Sequence, residues 1–144
     1  MSDKNRFIDN GDMTVTDTLT GLMWTKNDTM NELEKWVNFI EARDFARGLR
    51  EKKFAGYDDW RLPQKDEMPT LFDELLSNKD QFGKVNHISD AFASGGGFSL
   101  IAEIITGRMR TWVFNTRTGE FSQPDGLWII SESARAVRTI QPAK

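Results

Sequence analysis

The sequence predicts an α+β domain built on curved antiparallel sheet. Three observations lead there: period-2 alternation opens and closes the chain, apolar spacing of 3.6 fills the interval between, and the order β, α, α, β has no β-α-β repetition. With 144 residues, of which 38% are hydrophobic, one core and one domain spanning 1–144 are expected.

Phe7-Ile8-Asp9 leads into a turn at Asn10-Gly11, followed by Thr14-Val15-Thr16-Asp17 with β-branched residues at alternate positions. A second turn at Thr18 to Gly21 precedes Leu22-Met23-Trp24. Two or three short antiparallel strands are expected here. From Asn31 the period changes: Leu33, Trp36, Val37, Ile40, Phe45 and Leu49 predict a helix over about 32–52, with Asn31 and Glu34 as its capping box. Arg47, Arg50, Lys52 and Lys53 suit the C-terminal dipole, and Gly48 inside the helix predicts a packed neighbour at that point.

Arg61-Leu62-Pro63 must be extended, because the residue before a proline is driven out of the α region. A second amphipathic helix is expected from near Asp66, carrying Met68, Leu71, Phe72, Leu75 and Leu76, with Pro69 forcing a late start. Residues 77–97 end in Gly95-Gly96-Gly97 and read as a long irregular connection, functional or mobile. Phe98 to Ile105, Thr111 to Phe114, Phe121, Leu127 to Ile130 and Ala134 to Ile140 predict closing antiparallel strands around a turn at Thr116 to Gly119.

Composition removes several classes of function. The 19 Lys plus Arg against 22 Asp plus Glu give a net charge of -3 without a basic block, so nucleic acid is not an expected partner. No apolar run reaches the ~18 residues of a membrane span. With no Cys and a single His, His87, neither a thiolate nor a multi-His metal site can form, and no cofactor is expected. The N-terminus lacks the basic and apolar regions of a signal peptide, so the chain as written reads as cytoplasmic, and as secreted if a signal was trimmed.

Arg6-Phe7-Ile8-Asp9-Asn10-Gly11-Asp12-Met13-Thr14-Val15-Thr16-Asp17, continued by Thr20-Gly21-Leu22-Met23-Trp24, resembles the opening signature of the Lcl C-terminal domain family. Ala55-Gly56-Tyr57-Asp58-Asp59-Trp60-Arg61-Leu62-Pro63 resembles its second signature, and Thr111-Trp112-Val113-Phe114 with Gly119 and Ala134 to Arg138 resemble its closing strands. Arg61-Leu62-Pro63 with Glu67 is also similar to a motif of the formylglycine-generating proteins, which share the C-type lectin-like fold. The resemblance implies a C-type lectin-like domain with two helices and irregular antiparallel sheets. The paired Cys or His trio of the enzymes in that broad group are absent, so no catalysis is expected. Where the family often carries a Cys in helix one and another near the C-terminus, this chain has Ala46 and Ala136. The resemblance implies that these two alanines are spatial neighbours, their disulfide lost as suits a reducing compartment.

Within this frame most distinctive residues have a plain reading beside a sharp one. Asp9, Asp12 and Asp17 could gather around calcium, but their spacing misses an EF-hand and suits a hairpin turn. Gln123-Pro124-Asp125 spells the tripeptide with which galactose-preferring lectins hold calcium and sugar, yet it also suits a turn. Trp24, Trp36, Trp60 and Trp112 read as core, with Trp128 left as a platform. Arg61 and Glu67 read as an ion pair, and His87 as solvated. The expected function is a non-catalytic module holding polyanionic or sulfated glycans through Arg108, Arg110, Arg117, Gln123, Asp125 and Trp128. It would present the 77–110 loop region and the 115–128 hairpin. The alternative is a protein-interaction or homo-oligomerisation domain using Phe98 to Ile105. An enzyme would have to rest on Asp58, Asp59, Asp66 and Glu67.

Overall fold

A computed structural model of the chain describes residues 6–106, 110–123 and 132–140. The expected strand at Leu127 to Ile130 lies outside the described residues. The architecture is α+β: the described residues form two α-helices and three antiparallel sheets. Strands β1 (Phe7–Asp9), β2 (Thr14–Asp17) and β3 (Leu22–Thr25) form a meander, with the turns at Asn10-Gly11 and Thr18 to Gly21. Gly11 and Gly21 adopt φ of +80° and +73°, as those turns require.

The single long helix expected at 32–52 is two helices. The first, α1 (Thr29–Leu33), is capped by Asp28, whose carboxylate accepts from Asn31 N at 2.9 Å while Asn31 Oδ1 accepts from Asp28 N at 3.0 Å. Glu34 ends it in the left-handed region, at φ +56°. The second, α2 (Phe39–Glu51), repeats the device with Asn38 and Glu41. Between them Val37 exchanges two backbone hydrogen bonds with Glu132, which takes Trp36 and Val37 out of helical geometry. Gly48 also differs from expectation, since a Cβ there would meet nothing within 4 Å.

The helix expected near 66–76 is one 3₁₀ turn, Met68–Leu71, with Pro69 at its start. Phe72 is extended and Asp73 N donates to the carbonyl of His87, so the chain is drawn away before a second turn can form. Leu75, placed on the core face by periodicity, is 67% exposed. The 77–97 connection contains a small hairpin, β4 (Asn78–Lys79) with β5 (Val85–Asn86). Then β6 (Ser99–Thr106), β7 (Arg110–Asn115) and β8 (Glu120–Ser122) form the second main sheet. The last strand, β9 (Val137–Thr139), pairs with β3, and Arg61 of the extended Arg61-Leu62-Pro63 segment bridges to Val137 from the other side.

Alternation along β3, β6 and β7 separates two cores. Met23, Ile101 and Val113 face one with Phe39, Ala42, Ala46, Leu49, Trp60 and Ala136, whereas Trp24, Leu100 and Phe114 face the other with Phe7, Met68, Leu71 and Phe92. Ala46 and Ala136 are both buried in the first core. Trp24 and Trp60 are core residues as expected; Trp36 and Trp112 are only half-buried, Trp36 against Phe82 and Phe98 and Trp112 beneath Phe121 and Lys65. His87 is not solvated: it is half-buried, its Nδ1 lies 3.0 Å from the Leu76 carbonyl, and its ring meets Phe72 edge-on.

The triple glycine is packed. Gly97 N donates to the buried Asp28 carboxylate at 2.7 Å, and a Cβ on Gly97 would fall 2.1 Å from Ser133 Oγ. Asp28 also faces Arg135, a buried guanidinium that donates to the carbonyls of Thr25 and Lys26 and stacks on Phe92. Burial draws the Arg135 pKa down, and the Asp28 charge opposes that shift.

Candidate functional site

The carboxylates that stood as calcium or catalytic candidates are mostly engaged in holding turns and strands. Asp9 pairs with Lys26, Asp12 accepts from Thr14, and Asp17 is held by Arg6 through two bonds of 2.9 Å. Burial pushes the Asp17 carboxyl up, but Arg6, Thr20 and the Leu19 N–H outweigh it and leave the pKa below the ordinary value. Asp59 pairs with Arg138, and Glu67 meets Arg61 in a bidentate pair at 2.7 and 2.9 Å. For Glu67, too, burial raises the pKa and Arg61 with the Gln64 N–H lowers it further, for a net fall. Among the described residues no cluster of three or more His, Cys, Asp or Glu is arranged to hold a metal.

The residues expected to bind ligand divide between the two ends of β7. Arg110 begins that strand and Gln123 lies beside it: the Thr106 hydroxyl donates to the Arg110 carbonyl and accepts from Gln123 Nε2 at 2.9 Å. Arg117 follows the other end. From Arg110 to Asn115 the strand rises about 17 Å, so Arg110 and Arg117 do not converge on one small anion. Arg108, Asp125 and Trp128 lie outside the described residues.

Arg117 helps to build an aromatic surface at the loop end of the fold. Asp80 organises the β4–β5 turn by accepting from the N–H groups of Phe82 and Lys84 at 2.9 and 3.0 Å, and its other oxygen accepts from Arg117 Nε at 2.7 Å. The Asp80 carboxyl is raised by burial and lowered more by Arg117 and these N–H groups, ending below its ordinary value. The Arg117 guanidinium lies 3.9 Å over the Phe98 ring, and Phe98 meets Trp36 edge-on at 5.4 Å. Phe82, 63% exposed, lies beyond Trp36 at 6.4 Å, and Lys79 and Lys84 are exposed on the same hairpin. Asp80 therefore joins the two loops that the sequence singled out for display.

A second surface escaped the sequence reading. Arg43, Arg47 and Arg50 follow one another at i, i+4 and i+7 on α2 and, with Ile40 and Asp44, line an open groove of about 250 Å³. Arg43 lies over the Phe39 ring, Arg47 contacts Asp44 at 2.7 Å, and Arg50 donates to the Trp60 carbonyl at 2.8 Å. The Arg47–Asp44 pair is more than half exposed on both sides, so water and salt weaken it and leave the Arg47 charge available. In the sequence Arg47 and Arg50 are assigned to the C-terminal dipole and Arg43 to nothing; only the rotation of α2 brings the three to one groove.

The family model described as the Lcl C-terminal domain matches residues 13–140. The chain belongs to the Lcl C-terminal domain family. No curated protein matches it. The match spans both α2 and the β4–β5 hairpin, so both surfaces lie inside the Lcl C-terminal domain.

Proposed function

We propose that this Lcl C-terminal domain is a non-catalytic binding module for polyanionic glycans, sulfated glycans among them, and that the α2 groove carries the binding. The observation behind this reading is that three arginines of α2 line one open groove. A planar fork of N–H donors suits sulfate and carboxylate oxygens better than an ammonium does. Spacing by one helical turn suits a repeating anionic chain. We further propose that the architecture is a C-type lectin-like variant; two α-helices beside irregular antiparallel sheets support that reading.

Heparin binding measured across salt concentrations tests the proposal. Raising salt from about 0.1 M to about 1 M shortens the Debye length from about 10 Å to about 3 Å, so affinity should fall steeply. The double variant Arg43→Gln/Arg47→Gln should lose most of the binding with its melting temperature unchanged, since both side chains are exposed. Absent or salt-independent binding would remove the reading. A glycan array run with and without calcium separates this groove from a site at Gln123.

A second reading, a protein-interaction or oligomerisation domain, is favoured by Ile104 and Ile105, 56% and 36% exposed on edge strand β6. Elsewhere in that stretch Leu100 to Ala102 are buried in the cores and Phe98 is half-buried against Trp36 and Arg117. Sedimentation of wild type against Ile104→Lys decides it: a dimer that the variant abolishes supports this reading, and a monomer at all concentrations refutes it.

A further inference from the structure

Between the β1–β3 meander and α2 lies a cleft of about 110 Å³, lined by Met13, Thr25, Asn27, Glu32, Phe45, Leu49, Lys52 and Phe54. Met13, Phe45, Leu49 and Phe54 give it an apolar side, Thr25 and Asn27 a polar one, and Glu32 and Lys52 bring charge to it. Glu32 accepts from Asn27 Nδ2 at 2.8 Å, and Lys52 Nζ lies 5.6 Å from the centre of the Phe54 ring. Both charged residues are exposed, and among the described residues no ion pair joins them, although they line the same cleft. Opposite charges on one small cleft that leave each other unpaired define a space suited to a ligand carrying both complementary charges.

Two further observations mark the place. Thr25 is 3% exposed, yet its hydroxyl has no hydrogen-bond partner among the described residues. The four non-glycine residues with positive φ among those described are Met13, Glu34, Lys53 and Ala55. Met13 lines the cleft, Lys53 and Ala55 flank Phe54, and Glu34 ends the helix that carries Glu32. Backbone strain of this kind persists where surrounding structure enforces it, and it gathers at ligand-binding places.

We propose that this cleft binds a free aliphatic α-amino acid, its branched side chain against Phe45, Leu49 and Phe54, its ammonium toward Glu32 and its carboxylate toward Lys52. A cavity of about 150 Å³ accepts benzene, so 110 Å³ suits a four-carbon side chain whose head group stays at the mouth. The site is independent of the α2 groove.

Titration of the full chain with L-leucine, followed by amide NMR, tests the assignment. Saturable shifts are expected at Thr25, Leu49 and Phe54. Isocaproate, which lacks the ammonium, and isoamylamine, which lacks the carboxylate, should each bind about three- to tenfold more weakly. Glu32→Gln should weaken leucine and leave isocaproate unchanged, and Lys52→Met should weaken leucine and leave isoamylamine unchanged. Both positions are exposed, so the variants should melt like wild type. No saturable shift at the cleft, or equal affinity for leucine and either analogue, would overturn the proposal.

Discussion

Replacing Gly97 by alanine puts one methyl group where the chain has no room. The added Cβ would fall 2.1 Å from Ser133 Oγ and 2.3 Å from Ser133 Cβ, against an ordinary carbon contact of about 3.5–4.0 Å. Something must move by more than an ångström, and Ser133 is held in place. Its hydroxyl accepts from Ser99 N at 3.2 Å and donates to Ser99 O at 2.8 Å, while its own N–H donates to Ser99 Oγ at 2.8 Å. Overpacking of a filled interior costs about 1–3 kcal/mol, and leaving the buried Ser99 N–H without a partner costs about 1–3 kcal/mol more. A loss of about 2–6 kcal/mol is therefore expected, which lowers the melting temperature by roughly 4–24 °C for a domain of this size. Urea unfolding followed by tryptophan fluorescence measures it. Gly48→Ala is the control: with nothing within 4 Å of the new methyl group, helix propensity alone acts and stabilises by about 0.5–1 kcal/mol. Ser133→Gly in the Gly97→Ala background should be less destabilising than the two single changes added together, because it removes both clashing atoms. A Gly97→Ala protein within about 0.5 kcal/mol of wild type, or strict additivity with Ser133→Gly, would refute the packed-glycine account.

Other expectations follow from the same geometry. Asp17, Glu67 and Asp80 have folded pKa values below the ordinary 3.8 for Asp and 4.5 for Glu, so the stability they contribute is complete above those values and is lost as pH falls through the lowered ones. Urea midpoints should fall over that acid window, and Asp17→Asn should flatten part of the slope; a midpoint independent of pH there would contradict the pairing. Gly119→Ala should destabilise by about 1–3 kcal/mol, because φ is +78° and the Cβ would come within 2.9 Å of the Phe72 ring, as thermal melting can check. Ala46→Cys/Ala136→Cys should close a disulfide under oxidising conditions, seen as a gel-mobility shift, with up to about 4–5 kcal/mol of stabilisation from so long a loop.

The strands were legible because their signals are local. Alternation with glycine turns at Gly11 and Gly21 suffices to place β1 to β3, and Arg61-Leu62-Pro63 is extended for the steric reason given. The break between α1 and α2 was not legible, since apolar spacing continues through Trp36 and Val37 while a remote partner, Glu132, diverts the backbone. The signal that could have found it was the pair of capping boxes, Asp28 with Asn31 and Asn38 with Glu41. Asn31 is the third residue of the first box, and its pairing with Glu34 in the sequence mimics a cap of its own. The triple glycine reads as slack in one dimension, whereas Gly97 is required by an approach from Ser133, thirty-six positions away in the chain. The α2 arginines were visible one by one, and only their common groove was hidden.

The signatures that mark the family are largely consumed by folding. In the opening signature Asp17 is tied to Arg6, and in the second Trp60 is buried, Arg61 grips Glu67 and Asp59 meets Arg138. A side chain whose donors and acceptors are met inside the fold has little left to offer a ligand. Chemistry available to the outside instead belongs to residues beyond those signatures: the α2 arginines, Phe82 with the hairpin lysines, and the opposed charges of Glu32 and Lys52. Membership of the family therefore describes the scaffold, and under the binding function proposed above the choice of ligand would rest with exposed groups that the signatures do not specify. It follows that exchanging Arg43 and Arg47 for neutral residues should change binding without touching stability, and that breaking the Arg61–Glu67 pair should do the reverse.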